Sequence, residues 1–155
     1  RLLDIHEYLL EKGVKVEGAS GMRYMYHDPC HTPIKTMQPM KLVNELMGGD
    51  VPKSERCCGE SGTLAMTRPD VSTQVRFSKE ESLRRGITTL AGEAGAVKVL
   101  TSCPSCLQGL ARFSHDTGAE ADYIVVELAR RLLGEDWLPQ FIRKANAGGI
   151  ERVLL

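Results

Sequence analysis

The 155-residue sequence predicts an α/β fold: a mostly parallel sheet of about four short strands flanked by helices, with cysteine loops at the carboxyl ends of the strands. Three observations carry that expectation. Short β-rich runs alternate with helical patterns, the order that right-handed βαβ units produce. The clearest strand, "AVKVLTSC" (96–103), runs straight into a cysteine and a helix-opening proline. Every cysteine falls at a predicted strand end or in the loop after it, the edge where ligands gather on open parallel sheets.

The elements follow in order. "RLLDIHEYLLEKGV" (1–14) reads as a helix already under way, with Leu2, Ile5 and Leu9 on one face and Gly13 as its stop, so the chain is expected to be a piece of a longer protein. "MRYMYHD" (22–28) alternates as a short strand, and the two prolines of "PCHTP" end it. "QPMKLVNELMGGD" (38–50) is a helix with Pro39 in its first turn, Leu42, Val43, Leu46 and Met47 as its apolar set, and Gly48 as its cap. "VPKSERCCG" (51–59) leads to the cysteine pair through a short edge strand, and a helical turn follows from Ser61 to Met66.

"RPDVSTQVRFSKEESLRRG" (68–86) is a helix opened by Pro69 and Asp70 and stopped at Gly86, with its charges read as a solvated face. After the strand at 96–103, "PSCLQGLARFSHDTG" (104–118) is one helix with Leu107, Leu110, Ala111 and Phe113 apolar. "ADYIVVELARRLLGEDW" (121–137) passes from strand to helix and stops at Gly134, and helical pieces surround Trp137 and Phe141. No repeat or low-complexity segment interrupts this order. The expected division is a lead-in over 1–23, a cysteine-rich domain over 24–134 and a helical tail over 135–155.

Composition narrows the function classes. Hydrophobic residues make up 42% and charged residues 26%, enough for a buried core in a water-soluble domain. Twenty basic residues balance twenty acidic ones without long blocks, which points away from nucleic acid or an anionic membrane as partner. No apolar stretch is long enough to span a bilayer and no secretory pattern opens the chain, so the expected location is cytoplasmic, with any membrane association made through a partner. Five cysteines are an odd number and too few for a disulfide scaffold, which favours a metal or redox role.

Their spacing is the most informative pattern: Cys30, then twenty-six residues, Cys57 and Cys58, then forty-four residues, Cys103 and Cys106. The C-x-x-C pair alone reads as a redox dithiol, as half a zinc site, or as accident. Together the five thiols are soft donors suited to zinc, copper(I) or an iron–sulfur cluster. A structural zinc takes four ligands and leaves one over. Adjacent cysteines place two sulfurs on neighbouring irons of one cluster more readily than on one ion. Gly59 and Gly62 allow positive φ, by which amide N–H groups approach a negatively charged cluster; a plain tight turn uses them equally well. The helix opened by Pro104 directs its dipole at Cys103 and Cys106, and is expected to lower their pKa values.

With "HDPCH" at 27–31, "CCGESGT" at 57–63 and "TSCPSC" at 101–106, the chain resembles the cysteine-rich CCG domain family. That family includes the B chain of heterodisulfide reductase and the iron–sulfur subunits of glycolate and anaerobic glycerol-3-phosphate dehydrogenases. The resemblance runs from about residue 24 to residue 133. It implies an α/β unit holding a [4Fe–4S] or noncubane cluster through Cys30, Cys57, Cys58, Cys103 and Cys106. It further implies FAD on another domain or subunit, and an acceptor such as a quinone, a carrier or a disulfide. The spacing between the CCG and the last cysteine pair, around "ITTLAGEAGA", and the tail after Gly134 are both longer than the family pattern.

Other residues are weighed against plainer readings. His27 and His31 bracket Cys30 and are expected beside the centre or in structural roles rather than as ligands. Asp28 before Pro29 is expected to stabilise a turn. Arg56 and Arg68 either offset cluster charge or are simply exposed. Thr101, Ser102 and Ser105 either donate to sulfur or cap the next helix. Met37, Met40 and Met47 read as core or interface filler rather than ligands, and Trp137 and Phe141 as tail packing on the same domain ahead of packing on a partner surface. The functional expectation is an iron–sulfur electron-transfer domain of a flavin-linked oxidoreductase. The alternatives are a structural zinc module and a thiol–disulfide oxidoreductase that uses Cys103 and Cys106.

Overall fold

The computed structural model describes residues 2–17, 21–60, 62–91 and 96–148. Their elements run α1 (Ile5–Glu11), β1 (Arg23–His27), α2 (Pro39–Met47), α3 (Leu64–Thr67), α4 (Pro69–Ala91), β2 (Val97–Thr101), α5 (Pro104–Ala111), α6 (Ser114–Thr117), β3 (Glu120–Tyr123), α7 (Ile124–Leu133) and α8 (Trp137–Asn146). The strands form one parallel sheet in the order β1-β2-β3. The register runs from Arg23 opposite Val97 to His27 opposite Thr101, and Thr101 in turn faces Tyr123. All three carboxyl ends therefore finish level on one edge.

The α/β class agrees with the sequence, but the described residues form three strands rather than about four. The expected edge strand before the cysteine pair is a single parallel bridge of Lys53 to Tyr26. Tyr26 donates its N–H to the Pro52 carbonyl at 2.9 Å, and Ser54 donates to the Tyr26 carbonyl at 2.8 Å. Pro52 has no N–H to carry the ladder further back.

Alternation along the strands builds two cores, one on each face of the sheet. Tyr26, Leu100, Ile124 and Leu128 pack with Leu42, Val43, Leu46 and Met47 of α2. Met25, Val97 and Val99 pack with Leu83 of α4 and with Cys106, Leu110 and Phe113. Met37 and Met40 close against the first core, as core-filling methionines should. Pro39 and a Gln38 side-chain cap open α2, and Gly48 closes it at φ 64°, where a Cβ would run into the Val16 carbonyl.

Several expectations change. Helix α1 is not already under way at Leu2: it starts at Ile5 behind an Asp4–Glu7 capping box, and Leu2 is fully exposed while Ile5 is half exposed. Its buried residues are His6 and Glu7. The single helix expected over 104–118 breaks at Phe113, whose N–H turns to Leu110 and whose ring enters the second core. The charges of α4 are not all solvated, since Ser72 and Lys79 lie buried along the same face as Leu83. Phe141 of α8 is exposed with Leu138 and Ile142 rather than packed on the domain. No described helix is long and apolar enough to cross a membrane.

Glu7 gives the fold an acid-sensitive tie. Burial opposes its charge, but the Thr36 hydroxyl at 2.7 Å, the Thr36 N–H at 2.5 Å and the Lys35 N–H at 3.0 Å hold its carboxyl at about 2, below its ordinary 4.5. Between those values the unfolded chain binds more protons, so this contribution is complete above pH 4.5 and is lost as pH falls through 2. Glu7→Gln is expected to flatten that part of the curve of unfolding free energy against pH. An unchanged slope would contradict the assignment.

Candidate metal centre

The cysteines reach the carboxyl edge of the sheet on separate segments. Cys30 follows β1, Cys57 and Cys58 sit in the loop between α2 and α3, Cys103 follows β2, and Cys106 lies in the first turn of α5. All five line one cavity of about 330 Å³, which Gly62, His31 and Ser105 also border. Cys30 and Cys57 are exposed, Cys103 is half-buried, and Cys58 and Cys106 are buried. Strand ends that finish level explain why positions so far apart in sequence meet here.

The closest sulfurs are those of Cys58 and Cys106, 3.4 Å apart. Contact with Cys106 pulls the Cys58 thiol well below its ordinary range against the cost of burial, helped by the His27 side chain and the Glu60 N–H. The same contact, with burial, pushes Cys106 up. The expected lowering of Cys106 by the α5 dipole is therefore overturned: two sulfurs this close share one proton, and the second is hard to remove. Burial also raises Cys57, although the Gly59 N–H, 3.4 Å from its Sγ, works the other way.

Backbone shape supports this arrangement. Gly59 and Gly62 have φ of 80° and 49°, the left-handed region expected of them, and Arg56 also lies there at 68°. A Cβ on Gly109 would come within 2.6 Å of Glu60 Cγ and 3.1 Å of the Cys58 carbonyl oxygen, so α5 meets the cysteine loop directly. Gly109→Ala is expected to cost about 1–3 kcal/mol by overpacking and to speed alkylation of Cys58. Unchanged unfolding and thiol reactivity would contradict it.

The remaining predicted residues separate. Thr101 donates to the His27 carbonyl at 3.1 Å, so its proton is not free for sulfur, and Ser102 pairs with the Tyr26 hydroxyl at 2.9 Å. Arg68 forms a two-point contact with Asp70 on the surface. Asp28 does not use Oδ1 to hold the turn, because that atom is buried without a hydrogen-bond partner. The Thr32 hydroxyl is likewise buried and unpaired.

One residue escaped sequence reasoning. Lys79 is fully buried, and its ammonium donates to the Glu55 carbonyl at 2.7 Å, to Ser54 Oγ at 2.9 Å and to the Arg56 carbonyl at 3.2 Å. It also meets His27 Nδ1 at 3.1 Å. Burial brings Lys79 down to about 8, while Cys58, Cys57 and Cys106 favour its charge. The signal was its place on the Ser72–Leu83 face of α4, seven residues from one and four from the other. His27 in turn lies near the sulfur pair, and the ligand-capable atoms of His27, Cys58 and Cys106 fall within 4.8 Å of one another.

Fold and site together define an α/β domain built to gather thiols at one sheet edge. Residues 24–111 match the CCG family, described as a cysteine-rich domain, and the chain belongs to that family. Residues 111–155 match a family described only as a domain of unknown function, DUF3400. The chain is similar to the B chain of the fumarate reductase (CoM/CoB) of Methanothermobacter marburgensis, 29% identical over 68% of this chain and 21% of that protein. It is 49% identical to the glycolate oxidase iron-sulfur subunit of Escherichia coli K12, over 54% of this chain and 22% of that protein. An uncharacterized iron-sulfur protein of Methanocaldococcus jannaschii is 27% identical over 83% of this chain and 26% of its own length. The chain thus spans about a fifth to a quarter of the curated relatives it matches. No solved structure matches it significantly.

Proposed function

We propose that this chain is an iron–sulfur electron-transfer domain of a flavin-linked oxidoreductase, with Cys30, Cys57, Cys58, Cys103 and Cys106 holding the cluster. The observation that carries this reading is one cavity bordered by all five cysteines. The residues present fit such a group. The donor set is wholly soft sulfur, the positive-φ Gly62 borders the cavity, and the buried His27 Nε2 has no hydrogen-bond partner among the described residues. Similarity to proteins named as iron–sulfur proteins supports the same choice.

When bound, such a cluster accepts and releases electrons singly, and its potential responds to nearby charge, hydrogen bonds and burial. A [4Fe–4S] cluster would take four of these thiolates and leave one over, whereas a noncubane type would use the adjacent pair together with the fifth. The chain's own contribution is to hold the thiols at a level sheet edge, with Cys30 and Cys57 exposed towards a partner. That partner is a flavin-binding oxidase domain or subunit carrying FAD, and a quinone, a carrier or a disulfide receives the electrons. A 2-hydroxy acid dehydrogenase or a heterodisulfide reductase-like enzyme is the matching whole.

The thiol–disulfide alternative leaves Cys30, Cys57 and Cys58 without a role, although all five thiols border the one cavity. Anaerobic reconstitution followed by iron, sulfide and zinc analysis separates the readings. Matched iron and sulfide with broad visible absorption are expected. Zinc alone would establish the structural alternative, and a metal-free chain that cycles a Cys103–Cys106 disulfide would establish the other.

A further inference from the structure

We infer that His27 serves the cysteine centre as an Nε2–H hydrogen-bond donor and not as a metal ligand, because the buried ammonium of Lys79 fixes its tautomer. Its bearing on electron transfer rests on the proposed cluster, but the tautomer itself does not.

Proximity alone suggests the opposite, since His27, Cys58 and Cys106 bring their ligand-capable atoms within 4.8 Å. The hydrogen bonds decide between the two roles. An ammonium has three donors and no acceptor. Lys79 Nζ stands 3.1 Å from His27 Nδ1. Its other neighbours are the Ser54, Glu55 and Arg56 carbonyls and Ser54 Oγ, and the carbonyls can only accept. Burial lowers Lys79 to about 8, which still leaves it charged at neutral pH, and a charged lysine within hydrogen-bond distance requires Nδ1 to accept. The proton of a neutral imidazole then sits on Nε2, where no lone pair remains for a metal. Nε2 is the buried nitrogen without a partner, on a ring that faces Cys58.

Two further contacts keep the ring in place. The Thr101 hydroxyl donates to the His27 carbonyl at 3.1 Å, fixing the end of β1 against β2. Lys79 ties the 54–56 carbonyls of the cysteine loop to the same ring, so α4, β1 and that loop share one buried cation. Lys79 is therefore a positioning residue. It sets the direction in which His27 donates and places positive charge behind the sulfurs.

The test begins with the full chain, reduced, metal-free and labelled with 15N-histidine. Long-range proton–nitrogen spectra report which nitrogen of each of the four imidazoles carries the proton, with His27 assigned by its absence in His27→Gln. His27 is expected as the Nε2–H tautomer; an Nδ1–H tautomer in the unmutated chain overturns the inference, whatever happens to Lys79 variants. The iron-loaded chain then gives a second reading by pulsed EPR of the same label. Only weak nitrogen coupling is expected, whereas a coupling of directly bonded strength overturns the donor role. His27→Leu, which removes the donor, should keep the iron content while shifting the reduction potential downward, and loss of iron with preserved folding would count against it. Failure of iron uptake by the unmutated chain would sink the cluster proposal but leave the tautomer measurement decisive for His27.

Discussion

Replacing Cys57 with serine is expected to reduce iron uptake on anaerobic reconstitution to background while leaving the sheet folded. Cys57 is exposed, so little packing depends on its sulfur, and exposed substitutions of similar size usually change stability by no more than about 0.5 kcal/mol. The hydroxyl is a hard donor where the site offers soft ones, and it stays protonated under conditions where thiolates bind metal. Cys58→Ser removes a buried sulfur 3.4 Å from Cys106, so it should lose both metal and stability. The contrast separates a ligand from a packing residue. Wild-type iron content in Cys57→Ser would refute its assignment as a ligand.

The largest effect on stability is expected from Lys98→Met. Lys98 lies in the central strand with its ammonium 2.9 Å from Glu127 Oε2, and both side chains are almost wholly buried. Tyr24 donates to Oε1 of the same carboxylate at 2.7 Å, and Arg130 meets Oε2 at 2.5 Å. Glu127 is held below its ordinary pKa against burial, chiefly by Lys98 and Tyr24. Removing the lysine leaves the buried carboxylate under-compensated, at a cost of about 3 kcal/mol. For a domain this size that lowers the unfolding temperature by about 6–12 °C. Adding Glu127→Gln should recover most of the loss, since the orphaned charge goes with it. A single-mutant loss within about 0.5 kcal/mol would show that Arg130 and Tyr24 suffice.

How much was legible in the sequence depended on whether a feature was local. β1, β2 and α2 stood out because their apolar spacing and their Pro and Gly boundaries are written within ten or so residues. The meeting of the cysteines was legible through one inference about strand ends, because parallel strands in register bring their following loops together. The bridge at Lys53 resembled a strand in composition, but pairing depends on a partner with free N–H and carbonyl groups, and Pro52 limits it.

Lys79 was illegible for a different reason. Charged residues cover α4 on most sides, and its inward face is diluted by Ser72 and Gly86, so no strong apolar stripe marks the register. The role of the lysine depends on His27, fifty-two residues away, and on carbonyls of a loop without regular structure. The shared proton of Cys58 and Cys106 was hidden in the same way: a helix dipole can be read from a proline, but a 3.4 Å contact between sulfurs cannot.

A crystal structure of the anaerobically reconstituted chain, with anomalous difference maps on either side of the iron absorption edge, tests the central claim most directly. The account predicts iron peaks inside the cavity, with the sulfurs of Cys30, Cys57, Cys58, Cys103 and Cys106 at bonding distance and His27 outside it. A lone zinc held by four of the cysteines, or iron seated away from the adjacent pair, would contradict it.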